Sequence, residues 1–320
     1  LRVLAMAYKK NNNMYFVGLM GMIDPPKDGV KDALQLCSQA GIGVVMITGD
    51  HPRTAAAIAK QVGMRGEVLT GKEIDEMDDE HLREYVRTHT IFARTTSEHK
   101  VRILNALQRN GEIVAMTGDG VNDAPAVKKA DVGIAMSQKG TDVTRDTADM
   151  VLTDDNFSSI VSAIEQGRVV YENIKKFVNY LLSANAGEVG VILAAMILGW
   201  QLPLLPLQIL WLNLMTDSWP ALALGVEKPE SDVMQRKPRN PKESFFKGLR
   251  GFMIVTGIVE TVVVLAMFFW AQRAFDDISN ARTVALSTII LFELCRAYSC
   301  KNTKPFGPGE APSTSDSSAS

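Results

Sequence analysis

Two kinds of hydrophobic pattern divide the chain. Over residues 14–164, short apolar or β-branched runs alternate with segments whose apolar positions recur every three to four residues. Met14–Ile23 (MYFVGLMGMI) reads as a strand that ends at Asp24-Pro25-Pro26, and a helix is predicted over about 29–40. Gly41–Thr48 (GIGVVMIT) reads as a buried strand, and a second helix covers about 52–62. VLTG, a charged helix near 78–88 and the short strand IFAR (91–94) come next. Ser97–Gly111 is a strong amphipathic helix closed by glycine. Glu112–Asp119 reads as another buried strand, a helix starts near Ala124, and Asp131–Met136 and Asp149–Thr153 read as strands. Continuous apolar strands alternating with amphipathic helices predict an α/β fold with a parallel sheet covered on both faces.

From about Phe177 the pattern changes to long apolar segments, over 177–199, 204–224, 249–271 and 283–299. The first three have the length needed to span a hydrocarbon core of about 30 Å, and the fourth is near the lower limit. The first is expected to continue a helix starting near Ser158. The loop between the second and third carries Lys228, Arg236, Lys237, Arg239, Lys242, Lys247 and Arg250, which puts it on the cytoplasmic side by the positive-inside rule. The α/β half is then expected there too, as are Lys301 and Lys304, with the turns near Trp200 and Asp276 on the opposite side. The tail after Lys304, rich in Pro, Ser and Gly, reads as disordered. Mean hydropathy near zero is thus the average of two unlike halves. The formal net charge of −2 implies no nucleic-acid partner, and Cys37, Cys295 and Cys300 have neither metal nor disulfide spacing.

Ligands of such sheets bind beyond the C-terminal ends of the strands, and polar residues gather there. One strand ends in Thr48-Gly49-Asp50 and another in Thr117-Gly118-Asp119-Gly120, each joining a hydroxyl, a tight turn and a carboxylate. Thr48 is placed to hydrogen-bond a phosphoryl oxygen. Asp119 and Asp123, four apart at a loop-to-helix turn, suit Mg²⁺ with its few carboxylates and remaining water and phosphate oxygens. Lys100, at a helix start, would neutralise charge on a phosphoryl group in transfer. A lone Thr-Gly-Asp is a common turn and a lone lysine is usually solvated, but Thr117–Val127 (TGDGVNDAPAV) packs too many chemically active residues after a buried strand to be a generic turn.

The apolar segments also hold residues that lipid disfavours. Asn185 and Glu188 share one helical face near mid-span, Asn213, Thr216 and Asp217 share another, and Glu293 lies in the fourth segment. An ionisable group at mid-bilayer costs about 2.5–3.5 kcal/mol on insertion scales. Three acids with amide and hydroxyl oxygens at similar depth suit a hard cation taking six to eight oxygens. Polar glue between helices is the plainer alternative, and it usually needs one Asn or Ser. Glu260, in the third segment, has no role assigned by spacing.

TGDGVNDAPAV closely resembles the hinge motif of P-type ATPases, whose catalytic domain has the haloacid-dehalogenase fold. IDPPK (23–27), MITGD (46–50) and FARTTSEHK (92–100) are similar to further motifs of that family, and LRVLAMAYK (1–9) looks like the end of its nucleotide-binding domain. The resemblance implies a partial haloacid-dehalogenase-like Rossmannoid phosphorylation domain over 14–164, after the end of a nucleotide-binding domain in 1–13. An α-helical transmembrane bundle over 165–300 and a tail over 301–320 complete the expected organisation of a multi-pass membrane protein. It also implies that Thr48, Gly49, Asp50, Arg94, Lys100 and Asn122 contact ATP or the phosphoryl group, that Asp119 holds Mg²⁺, and that Asp123 shapes the same site. NAGEV (185–189), LNLMTD (212–217) and FELCRA (292–297) resemble calcium pumps of the sarcoplasmic-reticulum type and their bacterial relatives. On that match Asn185, Glu188, Asn213, Thr216, Asp217 and Glu293 bind Ca²⁺.

The string DKTGT, which carries the phosphorylated aspartate of the family, does not occur. The chain is therefore expected to be part of a longer ATP-driven Ca²⁺ pump whose N-terminal part is missing here, and to be inactive alone. A pump for Na⁺, K⁺, H⁺ or Mn²⁺, or a non-catalytic membrane fragment, are the alternatives.

Overall fold

A computed structural model describes residues 2–22, 25–137, 140–240 and 242–301. Ile23 and Asp24 of the IDPPK motif and the tail from 302 lie outside the described residues. The chain divides into two compact units, Leu1–Glu165 with Met234–Pro238, and Gln166–Val233 with Arg239–Ser320.

The first unit opens with an antiparallel ribbon, β1 (Arg2–Lys10) and β2 (Asn13–Met22), joined by a tight turn in which Asn11 and Asn12 both adopt positive φ. That geometry is the one asparagine tolerates best after glycine. There follow α1 (Val30–Gln39), β3 (Met46–Ile47), α2 (Pro52–Val62), β4 (Val68–Thr70), α3 (Gly71–Glu76), α4 (Asp79–Tyr85), β5 (Ile91–Ala93) and α5 (Ser97–Arg109). The unit continues with β6 (Ala115–Gly118), α6 (Ala124–Lys129), β7 (Val132–Met136), α7 (Asp142–Thr147) and β8 (Met150–Leu152).

The strands form two three-stranded parallel sheets, ordered β3-β5-β4 and β6-β7-β8, where the pattern alone predicts one sheet. The long strand expected over Gly41–Thr48 pairs only at Met46–Ile47, because its partner β5 is three residues long and Gly41 sits at φ 71°. Side chains take over where the ladder stops: Ile47 packs against Met116, Ala126 and Val127 from β6 and α6. The buried face of β5 supplies Phe92, which lies with Leu69, Ile74, Leu82, Val86 and Ile103 in a core between the sheet and α3–α5. Phe92→Ala is expected to destabilise this unit by about 3–5 kcal/mol, because it deletes a fully buried aromatic ring from the core, and thermal unfolding of the α/β unit measures it.

Helix ends in this unit are set by their caps. Thr96 and His99 form a reciprocal capping box at the start of α5. His99 Nδ1 accepts the Thr96 N–H, so its Nε2 carries the proton and donates to Asp75 at 2.7 Å. At the next long helix the Ser159 hydroxyl and the Asn156 N–H donate to Asp154, holding its carboxyl below the usual range.

The second unit is helical. Helix α8 runs unbroken over Phe157–Ile197, 41 residues, so its first turns belong to the first unit. The apolar segment 204–224 is not one regular helix: α9 (Pro206–Trp211) leads into a π-helical turn at Leu212–Thr216 and then α10 (Ser218–Gly225). Pro220 explains the break. It has no N–H to give the Thr216 carbonyl four residues back, and its ring would crowd that carbonyl in a regular helix. The wider turn closes instead with the Asp217 N–H on the Leu212 carbonyl at 3.0 Å. Helices α11 (Arg250–Ala274) and α12 (Ile278–Cys300) follow. Among the described residues, three helices, α8, α11 and α12, are long and apolar enough to cross a membrane. They pack around Val191, Ala195, Leu204, Leu212, Val264, Phe268, Ala281, Ala285 and Ile289.

Candidate phosphoryl-transfer and ion-binding sites

In the first unit the strand ends are clasped together by their own loops. Thr48 Oγ1 accepts the Asp50 N–H at 3.1 Å, and the Thr48 carbonyl accepts both the N–H and the hydroxyl of Thr95, at 3.1 and 3.0 Å. The Arg94 N–H donates to the Asp50 carbonyl at 2.9 Å, with Arg94 held at φ 55°, a conformation a bulky residue rarely takes. Thr48-Gly49-Asp50 and Arg94-Thr95 are thus one rigid edge, with Gly49, Asp50 and Arg94 exposed.

The second edge is built on Asp123. Its Oδ1 lies 2.5 Å from Lys100 Nζ at the start of α5, and its Oδ2 accepts the Asp119 N–H at 3.4 Å. Asp123 is buried, Lys100 is half-buried, and Asp119 and Asn122 are exposed. Asp123 therefore links the lysine to the turn that presents Asp119. A Cβ at Gly118 would lie 2.5 Å from Asp123 Cβ and 2.8 Å from Val127, so glycine is required for the carboxylate to sit there. Gly118→Ala is expected to cost about 1–3 kcal/mol by overpacking, read as a lowered unfolding temperature of the α/β unit. Thr144, fully buried, braces the turn by donating to the Gly120 carbonyl at 2.9 Å, and the Thr141 N–H donates to the Asp119 carbonyl at 3.2 Å. Nothing in the sequence pattern singles out Thr144, because a Thr in a short polar helix looks solvated.

The two oxygens of Asp123 are committed to Lys100 and a backbone N–H, whereas Asp119 presents an exposed carboxylate at a strand end. That donor set fits Mg²⁺, which takes one or two carboxylates and fills its octahedron with water and phosphate oxygens. Asp119 is the residue that would hold it, and the ion would supply charge neutralisation at a phosphoryl group.

The second unit buries an unusual number of charges. Glu188 is 4 % exposed, Asp217 1 %, Glu260 and Glu293 0 %, and Arg296 3 %. Tyr180, also fully buried, donates its hydroxyl to Asp217 Oδ1 at 3.0 Å. Asn213 Nδ2 donates to Glu188 Oε2 at 3.1 Å, tying the π-helical turn to α8. Glu260 and Arg296 form a buried ion pair between α11 and α12. Glu293 interacts electrostatically with Asp217, Glu188 and Glu260 and with Arg296. Among the described residues, Glu188 Oε1, Asp217 Oδ2, Glu260 Oε1 and both oxygens of Glu293 have no hydrogen-bond partner.

Of the residues expected to bind a cation, Glu188, Asn213, Asp217 and Glu293 are brought into one neighbourhood. Thr216 is half-buried in the same π-helical turn. Asn185 is exposed and donates to the Leu181 carbonyl of its own helix at 2.8 Å. No three His, Cys, Asp or Glu side chains among the described residues are gathered at metal-holding distance. Tyr180 and Arg296 are the members that sequence spacing did not single out: an aromatic in an apolar run looks like core, and a charge near a span end looks like an interfacial anchor.

Residues 6–131 match the family model described as haloacid dehalogenase-like hydrolase, and residues 201–311 match that of cation transporting ATPase, C-terminus. The chain belongs to the P-type cation-transporting ATPases. Its α/β unit is the haloacid-dehalogenase-like part of such an ATPase, and its long apolar helices belong to the membrane part. The "Calcium-transporting ATPase" of Bacillus subtilis (strain 168) is 45% identical over 319 residues, 94% of this chain and 36% of that protein. "Calcium-transporting ATPase 1" of Bacillus cereus (strain ATCC 10987 / NRS 248) is 49% identical over 88% of the chain and 33% of its own length. "Calcium-transporting ATPase 1" of Lactococcus lactis subsp. lactis (strain IL1403) is 43% identical over 94% and 36%. This P-type ATPase chain thus spans about a third of the length of the curated relatives it matches.

Proposed function

We propose that this chain works as part of an ATP-driven Ca²⁺ pump, carrying phosphoryl-handling loops in its first unit and the ion path in its second. The observation that carries the reading is the buried group of Glu188, Asp217 and Glu293, with unpartnered carboxylate oxygens from α8, the π-helical turn and α12. Burying three acids with four of their oxygens unpartnered is costly, and a transported divalent cation is the occupant that offsets it. Asn213, Thr216 and Asn185 add neutral oxygens. A π-helical turn frees backbone carbonyls at the same level, a usual feature of ion sites inside membranes. Binding Ca²⁺ draws these oxygens inward to its contact distance, about 2.3–2.6 Å. The names of the relatives point to the same cargo.

In the first unit, Thr48, Gly49, Asp50, Arg94 and Asn122 line the place where ATP and its terminal phosphoryl group bind. The phosphoryl group passes from ATP to an aspartate of the pump and ADP leaves. Lys100, fixed by Asp123, holds a positive charge beside the transferring group as negative charge spreads over its oxygens. The basic loop after α10 lies on the cytoplasmic side with this unit, and residues 1–13 close a nucleotide-binding domain.

The test is a chimera joining the N-terminal part of the Bacillus subtilis relative to this chain, assayed for phosphorylation by ATP against a panel of cations. Activation by micromolar Ca²⁺ is expected. Activation by Na⁺, K⁺ or Mn²⁺ with none by Ca²⁺ would replace the cargo.

A further inference from the structure

Glu260 lies in none of the motifs and Arg296, though within FELCRA, has no ligand role assigned there, yet the pair lies inside the acidic neighbourhood. Both side chains are buried, Glu260 completely. The pair has a fitted seat. An added Cβ at Gly187 of α8 would overlap the Glu260 carboxylate, so the absence of a side chain there lets the carboxylate lie against the helix backbone. The adjoining Thr261 hydroxyl donates to the Gly257 carbonyl at 2.8 Å. Arg296 is one turn from Glu293 on α12. Its Nη2 serves Glu260, while its Nε and Nη1 have no hydrogen-bond partner among the described residues. Both oxygens of Glu293 are likewise unpartnered. A guanidinium with spare donors and a carboxylate with spare acceptors stand one turn apart and are not joined, while Glu260 holds the guanidinium.

Resting on the reading of this cluster as the ion site, we propose that Glu260 is a positioning residue: it holds Arg296 away from Glu293, keeping the Glu293 oxygens available to the transported cation. Without the Glu260 charge, Arg296 turns to the anion one helical turn away, Glu293, and competes with the cation for it. Without Arg296, no internal competitor exists. The two halves of the pair therefore have opposite effects on cation affinity. A pair that merely ties α11 to α12 has like effects, since losing either half leaves a buried charge unmatched.

The experiment measures the cation concentration for half-maximal phosphorylation in the chimera, with membrane-inserted protein matched by gel filtration. Glu260→Gln is expected to raise that concentration at least tenfold. Arg296→Gln is expected not to raise it, and Glu260→Gln with Arg296→Gln together to return it to within threefold of the parent. Glu260→Asp, which keeps the charge, should recover most of the loss. The proposal is overturned if Glu260→Gln stays within twofold of the parent, if Arg296→Gln impairs activation equally, or if the double variant is no better than Glu260→Gln. Should Glu260→Gln not fold, the double variant decides: within threefold supports the proposal, and a tenfold loss overturns it. If a cation other than Ca²⁺ activates the parent, the calcium reading fails while the same ratios, measured with that cation, still test the role of Glu260. Activation by no cation overturns both.

Discussion

Asp217→Asn in the chimera is expected to abolish Ca²⁺-dependent phosphorylation by ATP, with a loss of at least about 100-fold in Ca²⁺ affinity. Asp217 is held tightly among the proposed ligands. It is 1 % exposed, it ends the π-helical turn, and one oxygen receives the Tyr180 hydroxyl while the other faces no partner among the described residues. The substitution preserves shape and can keep the Tyr180 bond, but removes the negative charge. Removing one charge of a buried, compensated pair costs about 3–5 kcal/mol, and each 1.4 kcal/mol is tenfold in affinity. The loss therefore exceeds what more Ca²⁺ can recover in an ordinary titration. Phosphorylation at unchanged Ca²⁺ concentrations in this variant would show that Asp217 is packing and not a ligand.

Lys100→Met is expected to show the reverse separation. Phosphoryl transfer from ATP falls about 10²–10³-fold, the usual effect of deleting one fixed positive charge or donor at a transferring group. The Ca²⁺ midpoint is expected to stay unchanged, because the ion pair of Lys100 is with Asp123 of its own unit. Asp123, left buried without its 2.5 Å partner, also lowers the stability of the α/β unit by about 1–3 kcal/mol. Rapid-quench phosphorylation and thermal unfolding resolve the two effects. A variant that loses stability but transfers phosphate at the parental rate would make Lys100 structural.

The α/β character of the first half was legible because buried parallel strands leave continuous apolar runs and α5 carries a strong amphipathic period with a cap at Thr96. Strand ends were less so. Gly41–Val45 looks as apolar as Met46–Ile47, but ladder length is decided by the three-residue partner β5, a non-local fact. The break in the second apolar segment had a local sign in Pro220, which hydropathy counting overlooks since proline barely alters the average. Polar residues within the spans stood out because lipid penalises them. Their partners did not: Tyr180 blends with an apolar face, and the match of Glu260 with Arg296 depends on how α11 and α12 pack. Thr144 was hidden for the same reason, its value arising from a carbonyl 24 residues away.

The central claim is that oxygens from three separate membrane elements close on one cation. Its most direct test is an electron cryomicroscopy structure of the chimera in saturating Ca²⁺. The account predicts a single peak of density bounded by Glu188, Asp217 and Glu293 at about 2.3–2.6 Å. Ion density elsewhere, with those three carboxylates turned toward lipid or toward unrelated helix partners, would contradict it.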